Sequence, residues 1–304
     1  MYQVPDQTGR RIVVTGANSG TGKEATKRLA DAGAHVIMAV RTPEKGEAAR
    51  QEILREVPHA KLEVRRVDLA DLDSVRAFAT ELLDEGAPLN VLVNNAGVMM
   101  PPRRATTKDG FELQFGSNFL GPFALTNLLL PLLLDSAAPR VATMSSGMAN
   151  HGRIRIKDLQ FAGNYRASAA YAQSKLANLL MATELAKISD ERGWDLLSTA
   201  AHPGYTRTNL QTAGPNLGRE KPRTAFRGDF TLLPSQGVQQ GAEPLLFAAA
   251  DPAAEQGAYY GPRRWLVGPT VKSALPHTAR GVDLGASLWS IAEDLTKSTI
   301  PTRV

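Results

Sequence analysis

The sequence predicts an α/β fold: a doubly wound, mostly parallel sheet of about seven strands with helices on both faces, in one domain over residues 1–304. Three observations predict it. Short β-branched runs alternate with amphipathic stretches, a glycine-rich turn joins the first run to the first such stretch, and no Pro, Gly or Ser-rich linker splits the series.

Ile12 to Thr15 is the first strand, a β-branched run that stops at the glycine-rich turn. From Gly22 onward Ala25, Leu29 and Ala32 fall on one side of a helix. The second strand is Val36 to Val40, followed by Pro43 and a charged helix. The third is Leu62 to Val67, ending in Asp68-Leu69. A helix through Val75, Phe78, Leu82 and Leu83 leads to Val91-Leu92-Val93, whose unbroken apolar character fits a strand covered on both faces. Val141 to Ser145, Leu196 to Ala201 and Tyr259 to Val267 supply further strands. Strands separated by helices imply right-handed crossovers, hence a parallel sheet. Arg207 to Gly237 breaks the alternation: it is rich in Gly, Pro, Thr and Arg, with Leu210, Phe226 and Phe230 scattered through it. An irregular insertion of this length is either a substrate-binding lid or a surface excursion.

A chain of 304 residues can bury roughly three quarters of its unfolded surface. Hydrophobic content of 43% and charged content of 21% argue against disorder and against a repeat array. The net charge of +5 arises from Lys and Arg intermixed with Asp and Glu, which argues against nucleic acid and suits a phosphate-bearing ligand. With no cysteine, disulfides, thiolate metal sites and a thiol nucleophile are excluded. The five histidines show no metal-ligand spacing, so no metal is expected. Met1 to Arg11 is polar, and the longest apolar run, around Leu128 to Leu134, is interrupted by Pro131. The expectation is a cytoplasmic protein with no membrane anchor.

Tyr171 and Lys175 stand four residues apart in a stretch that reads as helix, which puts both side chains on one face. A phenol is a poor proton donor or acceptor near neutrality, with a free pKa of about 10, and a nearby cation lowers that value. Alone, such a pair equally describes a solvated helix surface. The turn Thr15-Gly-Ala-Asn-Ser-Gly-Thr-Gly22 adds a second element. Gly16 permits the tight turn, Gly20 a close approach of backbone to a pyrophosphate, and Gly22 the packing of helix on strand, with Asn18, Ser19 and Thr21 between them. At the end of the second strand an acidic residue would hold ribose hydroxyls; that position falls at Val40, followed by Arg41. A guanidinium there pairs with a 2′-phosphate, which predicts NADP(H) over NAD(H).

Together with Asn94-Asn-Ala-Gly97 after an apolar strand and Ser145-Ser146 at the end of another, these motifs resemble the short-chain dehydrogenase/reductase family, over about residues 10 to 205. Thr107 to Asn118, Ser174 to Asn178 and His202-Pro-Gly204 look like the branch that contains the retinol dehydrogenases and WW-domain oxidoreductase. The resemblance implies a Rossmann-type sheet and a catalytic set of Asn118, Ser146, Tyr171 and Lys175. Tyr171 would be general acid in reduction and base in oxidation. Lys175 would lower its pKa and hold the nicotinamide ribose, Ser146 would hydrogen-bond the reacting oxygen, and Asn118 would support a water leading to Lys175. Ser145 is the rival of Ser146, and Asn118 has the alternative reading of a structural amide. The resemblance also implies that Asp68 and Leu69 contact adenine, that Asn95, Ala96 and Gly97 flank the adenosine ribose, and that Pro203, Gly204 and Thr206 border the nicotinamide and its phosphates. Thr206 or Thr208 could reach the pyrophosphate, and Asn94 reads as a link between neighbouring strands.

Met148, Phe161 and Tyr205, with Met99, Met100, Phe226 and Phe230, are candidate substrate contacts, although about half of them read equally well as core. Sulfur and aromatic linings suit bulky hydrophobic ketones, aldehydes and their alcohols. The expected activity is therefore NADP(H)-dependent hydride transfer on such small molecules. Two alternatives remain: an epimerase or dehydratase that regenerates its cofactor, and a non-catalytic cofactor sensor or scaffold. The resemblance further implies a homodimer or homotetramer.

Overall fold

The computed structural model describes residues 1–208, 214, 216–217, 234–280 and 282–301. Most of the 207–237 insertion, including Leu210, Phe226 and Phe230, lies outside the described residues. Eight strands form one sheet in the order β3-β2-β1-β4-β5-β6-β7-β8. They are β1 (Arg11–Thr15), β2 (His35–Val40), β3 (Lys61–Arg66), β4 (Val91–Asn94), β5 (Arg140–Met144), β6 (Leu197–Ala201), β7 (Tyr259–Pro262) and β8 (Thr270–Ser273). The helices are α1 (Gly20–Asp31), α2 (Pro43–Glu56), α3 (Leu72–Glu85), α4 (Leu113–Leu134), α5 (Ala167–Arg192), α6 (Val238–Ala250) and α7 (Val282–Thr296).

Successive side chains of a strand point to opposite faces, and the core divides accordingly. Val13, Ile37, Leu92 and Val141 face a layer made by α3, α4, α5 and α7, whereas Ile12, Val14, Val36, Met38 and Val93 face α1, α2 and α6. Both faces of the central strands are therefore apolar, as a parallel sheet requires. The sheet has one strand more than expected because the run from Tyr259 to Val267 is not one strand. β7 stops at Pro262, the chain turns through Trp265 (φ 63°) and Gly268 (φ 121°), and β8 returns antiparallel with Tyr259 opposite Ser273. Proline lacks the ladder N–H that a longer strand would need.

Helix α4 also departs from expectation, since it runs through Pro131 instead of breaking there. Leu113–Leu134 is thus long and apolar enough to cross a membrane by length and composition, but 83% of its apolar window is buried inside the fold, as in a core helix. Its second turn, Gly116–Leu120, is a π-helix closed by the Gly121 N–H on the Gly116 carbonyl. Such a turn bulges the helix, and it is centred on Asn118.

The order of the strands reverses between β1 and β4, so the loops leaving their carboxyl ends diverge and leave a crevice. Gly22 fits α1 against the rim of that crevice. A Cβ there would lie 2.3 Å from Asn95 Nδ2 and 2.4 Å from the Gly16 carbonyl oxygen. Gly22→Ala is expected to lower stability by roughly 1 to 3 kcal/mol through overpacking, read from the denaturant midpoint. An unchanged midpoint would show that the turn yields freely.

Candidate active site

The crevice at the β1/β4 switch has a volume of about 390 Å³. Its floor is the β1–α1 turn with Gly16, Asn18, Ser19, Gly20 and Thr21; its sides are Arg41, Thr42 and Lys45 beyond β2, Val67 to Ala70 beyond β3, and Asn95 to Val98 beyond β4. Gly16 has φ +68°, and a Cβ on it would come within 3.0 Å of Ala96 Cα. Thr15 holds the floor to the β4 loop: its Oγ1 accepts from the backbone N–H groups of Asn95 and Ala96, both at 3.0 Å. The Asn95 side chain does the same from the other side, donating to the Thr15 carbonyl and accepting from Thr21 Oγ1. Asn95 therefore shapes the turn rather than offering its amide to a ligand.

Ser19 is the N-cap of α1 but makes no capping bond with its side chain, so the first-turn N–H groups point toward the crevice without a side-chain acceptor. A helix N-terminus of this kind over a glycine floor fits a pyrophosphate. Asp68 and Leu69 border the opposite side, with one Asp68 oxygen accepting from Ala70 N. Arg41 and Lys45 stand exposed at the outer end, beside Val40, where no carboxylate would repel a 2′-phosphate. The residues present thus fit a dinucleotide.

Behind Gly97 lies a second constellation. A Cβ on Gly97 would sit 3.1 Å from Asn118 Oδ1 and 3.4 Å from Lys175 Nζ, so the β4 loop passes close to both. Tyr171 and Lys175 share one face of α5, with the Lys175 Nζ 5.9 Å from the Tyr171 ring centroid, and are 5% and 2% exposed. Lys175 Nζ donates to the Met144 carbonyl at the end of β5, and Asn178 Nδ2 donates to the same oxygen. The Ser146 side chain acts on the Tyr171 hydroxyl, lowering its pKa against the effect of burial. Of the two adjacent serines, Ser146 therefore faces the tyrosine, while the Ser145 hydroxyl is used to bond the Lys175 carbonyl at 2.7 Å. Asn118 is fully buried: Oδ1 accepts from Val98 N at 2.7 Å, and Nδ2 donates to the Val98 carbonyl and to Ser174 Oγ. Both Nδ2 hydrogens are thereby committed, while Oδ1 keeps one acceptor site.

Electrostatics correct one expectation. The Lys175 ammonium does not bring the phenol down; burial pushes Tyr171 up to about 12, with the Ser146 side chain opposing, and burial pushes Lys175 down to about 8. Removing a cation from water weakens it as a partner and as a charge, and here desolvation outweighs attraction. At neutral pH the pair is a neutral phenol beside an ammonium close to its titration.

Other candidates are distributed unevenly. Pro203, Gly204 and Thr206 follow β6 and do not border the crevice, whereas Thr208 does. Met148, half-buried, follows Ser146 and donates its N–H to Ser146 Oγ, and Tyr205 is half-buried with its N–H on the Leu266 carbonyl. Phe161 is 1% exposed, packed edge-on to Tyr165 and under the Arg155 guanidinium, and it does not border the crevice. Asn94 is a correction. Its amide bonds Thr126 Oγ1 at 2.9 Å, tying β4 to helix α4 and not to a neighbouring strand. The sequence reading missed Lys45 and Thr42 at the crevice mouth, Ser174 and Asn178 on α5, and Tyr259, whose hydroxyl reaches the Ser146 carbonyl. Lys45, one turn beyond Arg41, carried a readable signal; Tyr259, 113 residues from Ser146, carried none.

The Lys175 value has a measurable consequence. Its folded pKa lies below the unfolded one, so the buried ammonium costs stability below about pH 8, and that cost fades as pH rises toward 10.5. Lys175→Met should therefore stabilise the cofactor-free protein by roughly 1 to 3 kcal/mol near neutrality, with the gain shrinking at alkaline pH. Denaturant midpoints across that range check it, and a destabilised variant at neutral pH would contradict it.

The family model described as short chain dehydrogenase matches residues 10–216. The chain is 48% identical to mouse retinol dehydrogenase 12 over 208 residues, which are 68% of this chain and 64% of that protein, just under two thirds of its length. An uncharacterised protein from Mycobacterium paratuberculosis shares 39% identity and a TM-score of 0.81, covering 98% of this chain and 97% of that one. A structure described as an NAD(P)-dependent gluconate 5-dehydrogenase from Beutenbergia cavernae, with bound NADP, shares 26% identity and a TM-score of 0.64 over 84% of this chain and 96% of that one. With the glycine floor, the Tyr171/Lys175 pair and a family match over more than half its length, the chain belongs to the short chain dehydrogenase family.

Proposed function

We infer that the chain is an NADP(H)-dependent oxidoreductase that interconverts a bulky, hydrophobic ketone or aldehyde and the corresponding alcohol. The observation that carries this reading is the buried Tyr171/Lys175 pair on one face of α5, with the Ser146 side chain beside the phenol. A nicotinamide, when bound, supplies or accepts the hydride. The chain's own residues supply the rest. As a carbonyl is reduced, negative charge grows on its oxygen, and two fixed donors, Ser146 Oγ and Tyr171 Oη, stabilise it. Tyr171, held protonated by burial, delivers the proton to that oxygen. The Lys175 ammonium compensates the phenolate left behind. In the reverse direction the phenolate takes the alcohol proton.

Arg41 and Lys45 support the 2′-phosphate preference, because charge-assisted bonds to phosphate need cations at this mouth and Val40 leaves no competing carboxylate. Half-buried Met148 and Tyr205, near Ser146 and beyond β6, support an apolar substrate, as does the likeness to a protein named for retinol, a large apolar alcohol.

An NADPH-oxidation screen of bulky ketones and aldehydes tests the reading. Turnover should appear in the wild type and fall by about 10²- to 10⁴-fold in Tyr171→Phe. Equal rates in the two proteins would refute it, and product formed with no net NADPH oxidation would favour an isomerising enzyme. NADPH should exceed NADH in kcat/KM by about ten- to a hundredfold, and Arg41→Asp should abolish that margin. From about pH 6 to about pH 8 alcohol oxidation should rise while reduction stays level, because over that range Tyr171 remains protonated and Lys175 remains an ammonium. A reduction rate that collapses across that range would contradict a phenol held neutral by burial.

A further inference from the structure

We propose that Tyr259 is a positioning residue for the reacting centre: its hydroxyl holds the Ser146 peptide, and so fixes the direction of Ser146 Oγ toward Tyr171. This rests on the oxidoreductase reading of the same site.

Tyr259 opens β7, opposite Ala200 of β6, which is itself opposite Thr143 of β5. Residues in register share a face, so the Tyr259 side chain lies on the same side as Thr143 and, two residues on, Ser145. Ala200 is small enough for the phenol to cross over β6 toward the end of β5. The ring is 1% exposed, and its hydroxyl donates to the Ser146 carbonyl at 3.2 Å while lying in bonding range of the Ser145 side chain. Ser145 in turn bonds the Lys175 carbonyl. One phenol thus ties together the two serines of the β5 exit and, through Ser145, the helix that bears Tyr171.

Two further rings hold Tyr259 and back the same turn. His202 packs against Tyr259 at 5.0 Å and against Trp265 at 4.5 Å between centroids. A Cβ on Gly261 would lie 1.8 Å from His202 Nε2, so the β7 backbone is pressed onto the imidazole. Burial keeps His202 neutral, with its pKa pushed down to about 4, so the wall carries no charge near neutrality. Trp265 Nε1 would be 3.1 Å from a Cβ on Gly147, the residue after Ser146. Ser146 is itself extended, at φ −161° and ψ 154°, and leads directly into a 3₁₀ turn. Rotating its carbonyl away from Tyr259 rotates the Ser146-Gly147 peptide and moves Oγ relative to Tyr171. The arrangement gives the hydroxyl of Tyr259 a role in placing a donor, beyond filling space.

Tyr259→Phe keeps the ring and removes only the donor, so it can be compared with wild type in a double-mutant cycle with Ser146→Ala, using a bulky ketone turned over in the screen. The expected result is a kcat about five- to thirtyfold lower with KM within about twofold, and NADPH binding by fluorescence unchanged. In the Ser146→Ala background the same substitution should change kcat by less than about twofold, because no Oγ remains to be placed. An equal loss in both backgrounds, or a lower Tm with an unchanged kcat, would overturn the positioning role while leaving the oxidoreductase reading intact. Full activity in Ser146→Ala itself would likewise overturn the positioning role, since no Oγ would then need placing, while the turnover would uphold the oxidoreductase reading.

Discussion

Burial of the Lys175 ammonium is the constraint on which the rest of this site depends. Among the described residues no carboxylate pairs with it; its Nζ bonds a single neutral oxygen, the Met144 carbonyl, which Asn178 shares. A buried cation without a counter-charge is costly, and a fold retains one only where the surroundings over-determine its position. The surroundings here are β5, which ends at that carbonyl, and α5, which presents Lys175 and Tyr171 on one face and is buried along most of its length. Shifting the register of either element would strand the ammonium.

The backbone of the β4 loop carries the second constraint. It separates the crevice at α1 from the pair on α5 in close quarters: a Cβ on Gly97 would press on Asn118, and Gly22 leaves no room for one against Asn95. Asn118 holds this loop through both backbone groups of Val98, and the π-turn in α4 lets Asn118 face the loop instead of following the regular helical path. The glycine floor of the crevice and the Tyr171/Lys175 pair thus lie on either side of the β4 loop, and neither member of the pair is among the residues lining the crevice.

Much of this was legible in the residues. Alternating runs report the layered sheet because burial on both faces demands apolar strands, and glycine spacing reports the floor because only glycine adopts its turn. Tyr171 and Lys175 were legible as neighbours on one helix face through helical period, and as a candidate site only through the motifs that accompany them. What sequence does not encode locally is the degree of burial. Four-residue spacing says that the phenol and ammonium are neighbours, but not that desolvation will dominate their interaction and move both pKa values opposite to a solvated pair. Phe161 shows the same limit, since an apolar residue reads alike as core or as cleft wall. Asn94 and Tyr259 show another: their partners, Thr126 and Ser146, are set by packing between distant elements, which no local pattern reveals. The β7–β8 hairpin did carry a local signal, since Gly261-Pro-Arg-Arg264 interrupts the run from Tyr259 to Val267, and β7 stops at that proline before the chain reverses through Trp265 and Gly268.

The claim that burial, and not the neighbouring cation, sets the protonation of the reacting phenol is open to direct observation. Carbon-13 labelling of tyrosine Cζ, with Tyr171→Phe to assign the resonance, follows that hydroxyl through a pH titration of the cofactor-free protein. The account predicts that the Tyr171 signal keeps its protonated shift to beyond about pH 10. A transition to the phenolate shift between about pH 6 and about pH 8 would contradict it and restore the cation as the controlling influence.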